Sequence, residues 1–279
     1  MTVMALPRTE RSERARRISG AARDVVVLTR RNLVHIAREP LQLSDATVQP
    51  VLFTLLFVYV FGSAIPVVGG YQQFAIGGLM LLNLTTSAMG TGVGLCNDLT
   101  TGVIDRFRTL PMWRAAVLVG RSVSDLLSAA LCTSVVAVTG LAIGWRPHAS
   151  ALSVVGAFGV ALLFSYALSW GCCCLGIVSK GPESAQGTGL IVLFPLAIVS
   201  NAMVPTQGMP AWLQTVADWN PVSAVALSVR RLFGNPTLAA HLTAWPMRHP
   251  EVAALIWSVA LLAVFAPLAA VLYRRRTTG

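Results

Sequence analysis

The stretch LSVVGAFGVALLFSYALSWGCCCLGIV, residues 152–178, contains no charged side chain. About 20 consecutive apolar residues are enough for a helix to cross the hydrocarbon core of a bilayer. The whole chain shares this character, because 55% of its 279 residues are hydrophobic and only 11% are charged, whereas a soluble domain carries about 25% charged residues. The sequence therefore predicts an all-α integral membrane protein.

Five further apolar segments are close to this one in length. Together they predict six transmembrane helices, at residues 47–66, 72–96, 115–144, 152–178, 187–205 and 251–273. The fifth has the least distinct end, because Pro195 and Pro205 interrupt it. The connection between the fifth and sixth spans, residues 206–250, is too apolar for a free extracellular loop, although its apolar runs are too short to span a bilayer.

The basic residues predict the orientation. Nine of the 21 lie in residues 1–40, and three more form the run 274–276. Because basic residues next to spans favour the cytoplasmic side, both termini are predicted to be cytoplasmic, in the inner (cytoplasmic) membrane. Four basic residues then remain outside: Arg146, Arg230, Arg231 and Arg248. Nucleic acid is not an expected partner, since no basic face is interleaved with aromatic residues.

The residues before the first span predict two segments. Residues 1–20 are polar and rich in arginine without periodicity, which predicts a disordered basic cytoplasmic tail. Residues 21–38 have an apolar face and an arginine-rich face, which predicts an amphipathic helix lying on the cytoplasmic membrane surface. Residues 21–279 are expected to form a single transmembrane domain.

Residues that could carry catalysis or bind a cofactor are sparse. The single lysine, Lys180, does not lie in the G-x-x-x-x-G-K-[ST] pattern that binds nucleotide phosphates. GTGVG at 90–94 lies in an apolar segment without a βαβ context, so it predicts close helix packing. The five cysteines also lie in apolar segments and are expected to be buried packing residues. We therefore expect no catalytic residue, cofactor or metal site, and a protein that is not an enzyme.

The third predicted span carries two opposite charges. Arg121 and Asp125 are four residues apart, so they share a helix face and form a candidate transmembrane charge pair. An isolated charge at mid-bilayer costs about 2.5–3.5 kcal/mol on insertion scales, which favours a structural pair at the inner interface. A role in relaying motion and a role of Asp125 in proton transport are the alternatives.

The segment before this span is unusually charged for a loop between apolar helices. Four apolar residues recur at spacings of four, four and three, which predicts one helical face: Leu99, Val103, Phe107 and Leu110. Asp105, Arg106 and Arg108 point away from this face, and Pro111 ends the helix. Ordinary cytoplasmic loop charge would explain part of the pattern. A short helix that presents charge to a cytoplasmic partner explains all of it.

Several motifs together resemble a known family. REPLQLSDATVQPVLFTLLFVYVFG follows the amphipathic helix, and G-x-x-D-R-x-R-x-L-P-x-x-R follows the second span. Ser124-Asp125 lies in the third span, and MVPTQGMPAWLQTVADWNPVSAVALSVRRLFGNP follows the fifth. Over residues 22–275 the chain resembles the permease subunits of type-2 ABC exporters, particularly the daunorubicin/doxorubicin-resistance branch.

This resemblance implies roles for particular residues. Residues 97–112 would be a coupling helix inserted into a separate ATPase subunit, with these ATPase-coupling residues: Asp105, Arg106, Phe107, Arg108, Leu110 and Pro111. Residues 206–235 would form re-entrant helices on the outer side, with Pro210, Trp212, Asn220 and Pro221 at their turns. The full signature of this outer segment is Pro205, Met209, Pro210, Trp212, Asn220 and Pro221.

The resemblance also implies an assembly and a substrate class. Two permease chains, identical or related, would join two ATPase subunits that bind ATP and Mg²⁺, and would export drug-like or lipid-like amphipathic molecules. Export of polysaccharides or glycolipids is the alternative within the family, and a proton-coupled secondary transporter is the alternative outside it. Arg230 and Arg231 are expected to reach lipid headgroups, with substrate contact as the alternative.

Overall fold

The computed structural model describes residues 40–65, 67, 69–102, 116–237 and 244–278. The predicted tail (1–20), the predicted amphipathic helix (21–38) and residues 103–115 lie outside the described residues. The described residues form these helices: α1 (Pro40–Leu56), α2 (Tyr71–Thr100), α3 (Ala116–Ala142), α4 (Ala151–Val178), α5 (Pro182–Ile198), α6 (Ala211–Trp219), α7 (Pro221–Leu232), α8 (Trp245–Arg248) and α9 (Pro250–Thr278). Helix α1 continues directly into a π-helical turn, Phe57–Phe61.

Four of these helices are long and apolar enough to cross a membrane, over Tyr71–Thr100, Gly120–Ala142, Ala151–Val178 and Pro250–Arg276. They correspond to the predicted second, third, fourth and sixth spans, and their ends lie within a few residues of the predicted ones. The first predicted span corresponds to a shorter apolar helix, Ala46–Phe61. The fifth, predicted at 187–205, corresponds to α5, which begins earlier, at Pro182, and ends at Ile198.

Helix α5 ends early because a side chain from the start of α7 takes its last carbonyls. The Asn220 Nδ2 donates to the carbonyl oxygens of Leu196 at 2.7 Å and Val199 at 2.5 Å. The last carbonyls of a helix have no partner within it, so such a contact stabilises the end. The Asn220 Oδ1 also accepts from the Val222 N–H at 2.8 Å, as the N-cap of α7. The Asn220 side chain therefore caps both the C-terminal end of α5 and the N-terminal end of α7.

Helix α2 lies at the centre of the molecule, packed against α3, α4, α5 and α7. Within an 18-residue apolar stretch of α2, 61% is buried inside the molecule, whereas 11% of the corresponding stretch of α9 is buried. The largest core cluster contains Phe74 and Leu79 of α2, Phe164 of α4 and Val225 of α7. The most apolar helices, including α9, leave much of their surface exposed, as expected of helices in contact with lipid.

Glycines bring the backbones of α2 and α4 into direct contact. A Cβ atom on Gly92 would lie 2.3 Å from the Cys172 carbonyl oxygen, and one on Gly176 would lie 2.1 Å from the Gly92 carbonyl oxygen. Small residues at such crossings let two helices approach more closely than larger side chains allow. The close packing predicted for GTGVG at 90–94 is therefore confirmed at Gly92.

We expect Gly92→Ala to lower the free energy of unfolding by about 1–3 kcal/mol, because the added methyl group forces α2 away from α4. Gly90 is the matched control, since a Cβ atom there has no neighbour within 4 Å. Gly90→Ala should leave stability unchanged or raise it by about 0.5–1 kcal/mol, because alanine is the better helix former. Thermal unfolding of the purified chain in lipid nanodiscs measures both. Equal melting temperatures for the two variants would contradict the contact.

Candidate functional site

The predicted ATPase-coupling residues lie outside the described part of the chain: Asp105, Arg106, Phe107, Arg108, Leu110 and Pro111. The structure describes the two helices that flank them. Helix α2 runs to Thr100, and the side chains of α3 are described from Gly120 onward. The candidate site is therefore described through the contacts between the end of α2 and the start of α3.

The closest acidic partner of Arg121 is on the neighbouring helix. Its Nη1 lies 2.5 Å from the Oδ2 of Asp98, close to the end of α2. The Oδ2 of Asp125, the partner considered from the sequence, lies 3.7 Å from the Arg121 Nε, which is an ion-pair distance but too long for a hydrogen bond. Sequence reasoning missed Asp98, because the helical periodicity that relates Arg121 to Asp125 does not relate residues on different helices.

A glycine makes room for this arginine. A Cβ atom on Gly94 would lie 1.6 Å from the Arg121 Nη2. The guanidinium therefore lies against the bare backbone of α2, where any other residue at position 94 would displace it. The glycine-rich stretch 90–94 thus has a second role that its pattern did not predict, which is to seat the charge that joins α3 to α2.

The signature residues of the segment after the predicted fifth span lie at or near the boundaries of short helices. Pro205 and Met209 flank the 3₁₀ turn Thr206–Gly208, and Pro210 precedes α6. Pro221 is the first residue of α7, next to its cap Asn220. Trp212 lies in the first turn of α6 and is 70% exposed. Val216 and Trp219 are also exposed, four and seven residues after Trp212, which places all three on one helical face. Helix α6 therefore presents an apolar, tryptophan-bearing face, which suits a membrane interface.

The prediction that Arg230 reaches lipid headgroups is wrong. Its side chain is only 1% exposed, and its guanidinium carbon lies 3.7 Å from the centre of the Phe74 ring. The Nε donates to the Phe74 carbonyl at 2.8 Å, and Nη2 donates to the carbonyls of Asn201 at 2.8 Å and Ala202 at 2.5 Å. The arginine turns inward because the carbonyls of Asn201 and Ala202, which follow the end of α5, and that of Phe74 in α2 supply the acceptors that headgroups would otherwise supply.

The turn after α5 also packs closely against α2. A Cβ atom on Gly78 would lie 1.6 Å from the Ala202 carbonyl oxygen. The same carbonyl accepts from Arg230, so α2, α7 and the turn meet at one point. Arg231 instead faces α8 and α9: it donates to the carbonyls of Met247 at 3.3 Å and Arg248 at 3.2 Å, and its Nη1 lies 3.8 Å from Glu251.

The other sequence-predicted groups have simple surroundings. All five cysteines are buried and carry free thiols, which confirms their predicted role as packing residues. Among the residues that the structure describes, no three His, Cys, Asp or Glu side chains come together as a set that could hold a metal ion.

Comparison with known proteins relates these features to a family. The model of the ABC-2 type transporter family matches residues 23–233. The chain is 38% identical over 240 residues to the daunorubicin resistance ABC transporter permease protein DrrB1 of Streptomyces coeruleorubidus, covering 85% of this chain and 81% of that protein.

Two more distant relatives also match most of the chain. The probable doxorubicin resistance ABC transporter permease protein DrrC of Mycobacterium tuberculosis is 24% identical over 253 residues, which is 90% of this chain and 88% of the relative. The putative transport permease ycf38 of Porphyra purpurea is 24% identical over 217 residues, which is 76% and 74% of the two chains. With a family model that matches most of its length, this chain belongs to the ABC-2 type transporter family.

Proposed function

We propose that this chain is the transmembrane permease subunit of an ATP-driven exporter, and that it moves amphipathic drug-like or lipid-like molecules out across the cytoplasmic membrane. The observation that carries the proposal is the 38% identity, over 85% of the chain, to a permease named for daunorubicin resistance. A second relative is named for doxorubicin resistance.

Membership of the family implies an ATPase partner and a membrane location. We place the docking site for that ATPase on residues 97–112. The ATPase would bind ATP and Mg²⁺, and this chain would bind neither. The ion pair between Asp98 and Arg121 supports this choice. Because Asp98 belongs to the docking segment and Arg121 to α3, a force on the segment would act on both flanking helices at once.

We further propose six spans, with both termini in the cytoplasm and residues 21–279 as one domain. Helix α1 with its π turn would be the first span. Helix α5, with 17 residues, would be the fifth, at the lower end of the range of about 17–25 residues that crosses a bilayer. Helices α6 and α7 would re-enter the outer leaflet between the fifth and sixth spans. Exposed apolar residues on α1 and α5, such as Leu52 and Ile191, leave surfaces for lipid or a second permease chain.

The substrate class can be tested in inside-out membrane vesicles that contain this chain and its ATPase. We expect ATP-dependent uptake of daunorubicin, followed by the quenching of its fluorescence, and no uptake with ADP. Vesicles with the ATPase alone are the control. Uptake of a lipid-linked oligosaccharide in place of daunorubicin would instead support the alternative of polysaccharide or glycolipid export.

The docking site can be tested by reversing its charge. We expect Arg106→Glu to lower ATP-driven uptake at least about tenfold, as expected for loss of one or two charged contacts across an interface, while the ATPase retains basal hydrolysis. Arg275→Glu is the control, because Arg275 is an exposed arginine in the predicted cytoplasmic C-terminus. Uptake by Arg106→Glu equal to that of Arg275→Glu would exclude this docking surface.

Substitutions of Asp98 and Asp125, the two acidic residues beside Arg121, can distinguish an exporter from a proton-coupled transporter. We expect Asp98→Asn to lower the free energy of unfolding by about 1 kcal/mol, because it removes the charge in contact with Arg121, and Asp125→Asn to cost less. Thermal unfolding and ATP-driven uptake of both variants, measured at two pH values, check this. Uptake that follows a pH gradient without ATP, and that Asp125→Asn abolishes, would contradict the exporter.

A further inference from the structure

Three helix ends meet at one backbone carbonyl, that of Ser179, the residue that caps the C-terminal end of α4. The Arg276 Nη1, in the last turn of α9, donates to this carbonyl at 2.9 Å and also to the Ile177 carbonyl. The Cys96 Sγ, close to the end of α2, donates to it at 3.8 Å. The last carbonyls of a helix have no partner within it, and a cation beside them is favourable. Arg276 therefore holds the end of α9 against the end of α4.

This contact leaves most of the Arg276 guanidinium available. An arginine has five N–H donors, and within the described part of the chain only the Nη1 of Arg276 has an acceptor. Its side chain is exposed. Lys180 directly follows Ser179, is exposed as well, and makes no hydrogen bond or ion pair with a described residue. Two cations therefore lie on either side of the same contact, and no described acid neutralises them.

The surface around these two cations is apolar. Val178, which lies between the two residues whose carbonyls bind Arg276, is 69% exposed. Only 11% of the apolar stretch of α9 is buried. A basic residue at the end of a membrane span lies at the level of the lipid headgroups, where its side chain reaches their phosphates. The junction of α4 and α9 therefore combines a lipid-facing apolar surface with two cations at its edge.

We infer that Lys180 and Arg276 form a binding site for the headgroup of an anionic phospholipid, which we call the α4–α9 site. The remaining N–H groups of Arg276 donate to the phosphate oxygens, as arginine does in other phosphate contacts, and the Lys180 ammonium adds a second positive charge. The acyl chains lie against the exposed surface beside Val178. The inference needs the membrane location of the family and does not rest on the proposed export.

The neighbouring Arg275 faces away from the α4–α9 site. Leu268 and Val271 are exposed on α9, and Arg275 continues their stripe four residues later. Arg276 instead comes three residues after Tyr273, which is buried in a cluster with side chains of α4. Binding at the α4–α9 site should therefore depend on Arg276 and not on Arg275, although the two residues carry the same charge on the same turn.

The site can be tested by native mass spectrometry of the full chain, released from micelles that contain equal amounts of phosphatidylglycerol and phosphatidylcholine. We expect the wild type to retain phosphatidylglycerol in preference to phosphatidylcholine. Lys180→Gln and Arg276→Gln should each lower the ratio of the two bound lipids about fivefold, the effect of one basic residue near an anionic membrane surface. Arg275→Gln is the matched control and should leave the ratio unchanged. Because Lys180 makes no polar contact with a described residue, Lys180→Gln should fold as the wild type does.

An unchanged ratio in Lys180→Gln, or no preference in the wild type, would overturn the inference. An equal loss in Arg275→Gln would overturn it as well, because diffuse surface charge would then explain the preference. A large excess of sn-glycerol 3-phosphate should not displace the lipid, and displacement would show that a soluble phosphate is the ligand. If Lys180→Gln keeps its lipid but no longer co-purifies with the ATPase, the surface belongs to the ATPase instead. The lipid ratio is measured without ATP or transport, so a failure of the proposed function would be seen separately.

Discussion

The arrangement of the half of the molecule that contains α6 and α7 depends on how the carbonyls at the end of α5 are satisfied. In an apolar environment each unpaired carbonyl is costly, so a helix can stop there only where other groups supply donors. Asn220 supplies them to Leu196 and Val199, and Arg230 supplies them to Asn201 and Ala202. Because both side chains come from α7 and its N-cap, the chain can turn back after α5 and place α7 beside α2.

The other half, around the end of α2 and the start of α3, depends on the absence of a side chain at two positions of α2. Gly92 admits the backbone of α4, and Gly94 admits the guanidinium of Arg121. One short glycine-rich stretch therefore fixes the distance between α2 and α4 and also places the charge that joins α2 to α3. The position of that charge matters for the proposed function, because its partner Asp98 lies at the end of α2, where the proposed docking segment begins.

The sequence was informative where a local pattern determines the outcome. Uncharged runs such as 152–178 predicted the long helices, and small residues at 90–94 predicted close packing. Its failures have a common cause. Arg230 meets Phe74 across 156 residues of sequence, and Arg121 meets Asp98 across 23. Neither contact leaves a periodic pattern in the sequence, which therefore predicts headgroup contact for Arg230 and only Asp125 as a partner of Arg121. The predicted fifth span extends beyond the end of α5 for the same reason, because the cap of α5 comes from the distant Asn220.

These two halves suggest how the subunit divides into rigid and movable parts. Helices α2 and α4 are in backbone contact, and α2 is bonded to α7 through Arg230, whose guanidinium also binds the Ala202 carbonyl that packs on Gly78. Such contacts leave no space for relative displacement, so α2, α4 and α7 are expected to move as one body. Helix α3 meets that body near its N-terminal end through the ion pair between Arg121 and Asp98. Polar contacts of this kind can lengthen or exchange partners without opening a void. If a partner ATPase pulls on the segment between α2 and α3, the displacement should therefore appear at the α3 interface, and the glycine contact between α2 and α4 should remain closed.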